Sequence, residues 1–246
     1  DQFQHGEGVD WACRLEEGRS QVRARTRLQT LARAAFMNAF TPERWARLWI
    51  EASGRGDGRA WFDVLKGRYT EPHRHYHNPR HISECLAEFD SSRHLAVQPV
   101  AVELAIWFHD AIYDTHAGDN EEQSALLADQ CLAEAGSDRE VRLAVGHLVL
   151  ATKKHDTATH VDAPLLVDID LSILGSPENR FVEYEAQIRQ EYAWVPDALF
   201  AEKRAEILEG FLSRDSIYST ESFSKRLENR ARENLRASIE KLRSAR

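Results

Sequence analysis

Apolar positions along most of this chain return every three or four residues, the period of a helix with one buried face. Trp45, Leu48 and Trp49 open the series, followed by Trp61, Phe62, Leu65 and Tyr69. Later stripes run through Leu126 and Leu132, through Val141, Val145 and Leu148, and through Phe181, Tyr184, Ile188 and Tyr192. Phe200, Ile207, Leu208, Phe211 and Leu212 form another, and Phe223, Leu227, Ala231, Leu235 and Ile239 the last. Start signals punctuate these stripes. Thr41-Pro42 and Asn78-Pro79 each place a capping side chain before a proline suited to the first helical turn. Pro177 and Pro196 open two further helices, and Asp119…Glu122 and Ser137…Glu140 have the spacing of reciprocal capping boxes. Ser53 to Gly58 is the strongest turn signal.

Two stretches depart from this amphipathic pattern. From Pro99 to Tyr113 the chain is apolar on nearly every side, which predicts a helix buried in the middle of the fold. Its last turn carries the adjacent pair His109-Asp110. The second stretch is Leu165 to Leu174. Its alternation allows a strand, but the neighbours are all helical and leave a strand nothing to pair with, so a short buried helix is expected. Asp168 and Asp170 lie inside it, and a carboxylate in apolar surroundings needs a partner or a metal. The fold class is therefore all-α: residues 1–40 as a polar tail and a basic helix, and residues 41–246 as one domain, the whole chain a bundle of roughly ten helices. The arginines of residues 14–38 are read as a solvated helix face rather than a phosphate site.

Composition narrows the function. With 40 acidic against 32 basic residues and a net charge of −8, no broad basic face is expected, so a nucleic-acid polymer is not an expected partner. Cys13, Cys85 and Cys131 form neither a disulfide framework nor a C-x-x-C site, which fits a reducing cytoplasm and leaves Cys outside the expected ligand set. No apolar run is long enough to span a bilayer, and the first ten residues lack a signal-peptide core. The oligomeric state is not legible.

Four polar residues stand out together: His81, His109, Asp110 and Asp170. They come from three helices, and ligands projecting from facing helices are an established way to build a metal site in a bundle. Imidazole and carboxylate suit Mn, Mg, Fe, Co, Ni or Zn. Of the remaining histidines, His73 and His75 are assigned to a polar loop, while His155 shares a helical stripe with His147 and is a candidate for the surroundings of the site.

The order H…HD…D on a helical chain resembles the HD superfamily of metal-dependent phosphohydrolases. His77-Asn78-Pro79-Arg80-His81 looks like the H-N-x-x-H signature of its cyclic-nucleotide phosphodiesterase branch, and Asp170-Leu171-Ser172 like the D-L-S carrying the last metal ligand there. Tyr76-His77-Asn78, Tyr113-Asp114, Asn120-Glu121, Asp168 to Gly175, Ile188 to Tyr192 and Ile217-Tyr218 are similar to a bacterial branch of predicted HD phosphohydrolases. The resemblance covers about residues 41–242. It implies an HD-type catalytic domain in which His81, His109, Asp110 and Asp170 hold a divalent ion (one ion, or two) and Asp110 shares in catalysis. It makes His77 the general acid for a leaving oxygen. Asp114 would orient a water or cap a turn, Asp168 would support Asp170 or cap a helix, and Arg80 and Lys153 are candidates for holding phosphate. The implied reaction is hydrolysis of a phosphoester in a small phosphorylated molecule, such as a nucleotide. The alternatives are a nucleotide-binding regulatory module without turnover and a di-iron oxygenase. Tyr113-Asp114 replaces the Glu-Asp of stringent-response hydrolases, and no purine-clamping Gln is found, so cyclic nucleotides are not implied.

Overall fold

The computed structural model describes residues 39–244; of the tail and basic helix expected over 1–40, residues 1–38 lie outside them. Ten α-helices and two short 3-10 turns follow one another among the described residues, with no strand. They are α1 (Pro42–Glu51), α2 (Arg59–Tyr69), α3 (Pro79–Ser92), α4 (Pro99–Phe108), α5 (Asn120–Ala135), α6 (Arg139–Thr152), α7 (Ala163–Asp170), α8 (Glu178–Glu191), α9 (Asp197–Leu212) and α10 (Glu221–Ser244). The all-α expectation is met. No helix among the described residues is long and apolar enough to cross a membrane.

Helix α4 is the axis. Val102, Leu104, Ala105, Ile106, Trp107 and Phe108 are fully buried, and α1, α3, α5, α6 and α7 pack around it. Trp107 lies within 4.7–6.2 Å, centroid to centroid, of the rings of Phe40, Trp45 and Phe62. The one charged residue of α4, Glu103, is buried against two guanidiniums, those of Arg44 and Arg93. Helices α5 and α6 pair with each other. Helix α10 packs on α9 and on the 3-10 turn Leu171–Gly175. There Gly175 is obligatory, because a Cβ would sit 2.6 Å from Leu227 Cβ.

The caps at Thr41 and Asn78 form as expected, each side-chain oxygen accepting a backbone N–H two or three residues on. Several expectations need correction. Helix α4 stops at Phe108, so His109 and Asp110 follow it in a turn. Neither expected capping box forms. Asp119 accepts from the Gln123 side chain and Glu122 is drawn to Lys153, while Ser137 donates to the Ala52 carbonyl. A distant partner outcompetes the local cap at Glu122 and Ser137, while Asp119 is taken by a side chain one turn on in its own helix. Ile207, expected to face inward, is half exposed.

Candidate metal centre

Asn78 and Pro79 start α3 so that His81, in its first turn, points into the interior. The end of α4 delivers His109 and Asp110 from the next helix, and the end of α7 delivers Asp170. The Nε2 atoms of His81 and His109 are 3.0 Å apart. Asp110 Oδ2 is 3.2 Å from the first and 3.0 Å from the second, and Asp170 Oδ1 is 3.5 and 3.6 Å away. Ligands of one ion, each about 2.1 Å from it at right-angle or tetrahedral spacing, are themselves about 3.0–3.4 Å apart. The four side chains come close to that spacing.

The local chemistry agrees. His109 Nδ1 lies 3.0 Å from the Ile106 carbonyl. Donating its proton there leaves Nε2 with a lone pair facing the cluster, the usual way a ligating imidazole is oriented. Burial opposes charge on His109, but the Asp110 and Asp170 carboxylates override it and leave its pKa well above the ordinary imidazole value. Asp110 and Asp170 are likewise pulled below the usual carboxylate range, against burial, by the adjacent imidazoles. The two carboxylates stay anionic in this buried setting, where their charge calls for a cationic partner.

Cys85, left out of the expected ligand set, belongs to this neighbourhood. One ligand atom each from His81, Cys85, His109 and Asp170 falls within 4.8 Å of the others, a buried group that could hold a metal ion. The position of Cys85 differs from that of Asp110, however. Its sulfur is 3.7 and 3.8 Å from both ring nitrogens of His81, against the ring rather than among the converging lone pairs. Burial also pushes its thiol well above the ordinary value, away from the ligating thiolate.

His77 sits beside the cluster, its ring stacked on Tyr113 at 4.1 Å. Its orientation comes from Glu191, the last residue of α8, to which sequence reading gave no role. One carboxylate oxygen of Glu191 accepts the backbone N–H groups of His75, Tyr76 and His77 at 2.7–2.9 Å. The other accepts from His77 Nδ1 at 2.7 Å and from the Tyr113 hydroxyl at 2.9 Å. Burial would raise the carboxyl, but His77 and these N–H donors hold it down at about 2. The His77 imidazole is raised in turn: burial is outweighed by Glu191, Asp110 and Asp170.

Arg74 was also missed. Its buried guanidinium donates to the carbonyls of His77, Asp110 and Ala111 and to Glu71, between the rings of Tyr69 and Tyr113. It ties the loop before α3 to the turn carrying the His-Asp pair.

The other candidates divide. His155, at φ 52° beyond the end of α6, brings Nε2 to 3.9 Å from Asp170 Oδ2 and packs on Phe211. Lys153 faces the same cavity but donates to the Gly118 carbonyl and to Glu122. Asp168 is fully buried and accepts from the backbone of Ser219 and Thr220 and from the Thr220 hydroxyl. It caps the start of α10, the second of the two roles expected for it. Asp114 is exposed and closes a turn on His116. Arg80 is paired with Glu84 and Glu183 and does not line the cavity. His73, His75 and His147 are exposed. Ile217 and Tyr218 are core, the tyrosine donating to the Leu171 carbonyl.

Asp110, Asp170, His77 and His155 together line a cavity of about 690 Å³, within the range of small-molecule sites. Comparison with protein-family models, with curated proteins and with solved structures returned no match.

Proposed function

We propose that this chain is a metal-dependent phosphohydrolase of the HD type, acting on a small phosphorylated molecule. The observation that carries the reading is the convergence of His81, His109, Asp110 and Asp170 at one point of a cavity that His77 also faces. These four residues would hold a divalent ion of the Mn, Mg, Fe, Co, Ni or Zn type. When bound, such an ion neutralises phosphate charge and makes a water nucleophilic near neutral pH.

The chain's own residues supply the rest. Asp110 and Asp170 remain anionic and balance the cation. His77, held through Nδ1 by Glu191, has Nε2 free to give a proton to the departing oxygen, and its raised pKa keeps that proton available near neutrality. Arg74 keeps Asp110 and His77 in register through their backbone carbonyls. Lys153 lines the wall with its charge answered by Glu122.

The test is a metal-loaded turnover screen of the full chain against phosphomonoesters, cyclic nucleotides and nucleoside phosphates. Release of phosphate, or ring opening, that disappears on chelation and returns with metal is the expected result. Tight nucleotide binding without turnover of any phosphoester would overturn the reading in favour of a regulatory module.

A further inference from the structure

Resting on the hydrolase reading, we propose that the substrate is a single phosphate ester of an apolar group, bound with its carbon skeleton along α9. The cavity is far larger than a phosphate needs, and its far wall is not equipped for polar recognition. Most of the polar side chains that line it already have partners within the protein. Tyr113 donates to Glu191, Thr152 to the Val149 carbonyl and Lys153 to the Gly118 carbonyl and Glu122. Arg204 is held by Glu185 and Tyr184, so its charge and the Tyr184 hydroxyl answer each other. Asn120 uses both ends of its amide on the backbone of Asp114, and Lys203 pairs with Glu206.

What the wall offers freely is apolar. Leu199 and Ile207 lie two turns apart on one stripe of α9, with Phe200 and Phe211 beside them. Trp194 completes the rim from the preceding loop, its indole N–H spent on Thr115. Trp194, Leu199 and Ile207 are 53%, 47% and 52% exposed. Large apolar side chains scattered singly over a surface need no explanation, but three on the rim of one cavity that also holds a cluster of ionisable groups mark a binding surface. Glu121 faces the cavity as well, and a carboxylate there disfavours a second anionic group. A nucleoside would bring base edges and sugar hydroxyls to a wall with few free partners, at the cost of leaving them unpaired.

The experiment uses the metal-loaded full chain and straight-chain alkyl phosphates from ethyl to hexyl, alongside glycerol 3-phosphate and nucleoside monophosphates. Calorimetric binding of the matching alkylphosphonates gives a readout independent of turnover. Burial of each methylene predicts a gain of about three- to fourfold in kcat/KM and in phosphonate affinity, with hexyl phosphate ahead of glycerol 3-phosphate and the nucleotides. Leu199→Asn and Ile207→Asn, both at half-exposed positions, should flatten that dependence. Turnover of phosphoesters with no dependence on chain length, or with nucleotides preferred, would overturn this inference and leave the hydrolase reading intact. Phosphonate affinity that climbs with chain length while no ester is turned over would support the apolar site and overturn the hydrolase reading. Absence of both turnover and binding would overturn both.

Discussion

Replacing Glu191 by Gln removes one charge from the end of α8 and keeps the shape of the side chain. The carboxylate accepts five hydrogen bonds, three from consecutive backbone N–H groups and two from side chains. Folding takes its carboxyl from an ordinary 4.5 to about 2. At about 1.4 kcal/mol per unit, that difference contributes about 3 kcal/mol at pH 7. The sign follows from the depressed folded value. The contribution is complete above 4.5, shrinks to about 1 kcal/mol at pH 3, and is gone below about 2. His77, whose folded value is raised, acts oppositely: its share is complete below its unfolded value and is lost as pH rises through the folded one. Urea unfolding of Glu191→Gln and wild type between pH 7 and pH 3 measures this directly. The variant should be less stable by about 3 kcal/mol at pH 7, the gap should narrow on acidification, and bound metal should be unchanged because Glu191 touches none of the four ligands. A gap under about 0.5 kcal/mol at pH 7, or one indifferent to acid, would rule out this role for the Glu191 carboxylate.

Further outcomes follow from the same geometry. Asp168→Asn should keep its metal while losing about 1–2 kcal/mol from the cap of α10, whereas Asp170→Asn should lose the metal; the reverse pattern in metal analysis would show that the two acids have exchanged roles. Cys85→Ala should retain full metal content, since the sulfur lies against the His81 ring, and a large drop would make Cys85 a ligand. His77→Ala should bind metal normally yet lose about 10²–10⁴-fold in turnover of alkyl esters. The loss should be much smaller for a nitrophenyl ester, whose leaving group needs little protonation, and an equal loss on both would remove His77 from the acid role.

The parts of this structure legible in the sequence were those written locally. Asn78-Pro79 announced the start of α3, the all-round apolar run announced the buried axis, and His81, His109, Asp110 and Asp170 each stood where an isolated polar group would be costly. Asp168 and Asp170 were separable because residues two apart on a helix face different sides. What stayed hidden depends on long-range neighbours. Glu191 receives its partners from residues more than a hundred positions away or from Tyr113. One signal was present, an acid in the last turn of a helix, where the dipole disfavours it. Arg74 looked like any basic residue of a His-rich loop until three carbonyls closed on it. Cys85 carried the i, i+4 spacing from His81 but no motif. Distant neighbours decided where the local signals pointed elsewhere: Ser137 donates to the Ala52 carbonyl and Glu122 pairs with Lys153 in place of the expected caps.

We propose that His81, His109, Asp110 and Asp170 hold one ion jointly. Metal content of wild type, His109→Ala and Asp110→Ala, purified identically and reloaded after chelation, tests it most directly when read beside helical content by circular dichroism. Stoichiometric metal is expected in the wild type, and near-absence of metal with helicity retained in both variants. Full occupancy in Asp110→Ala would contradict it.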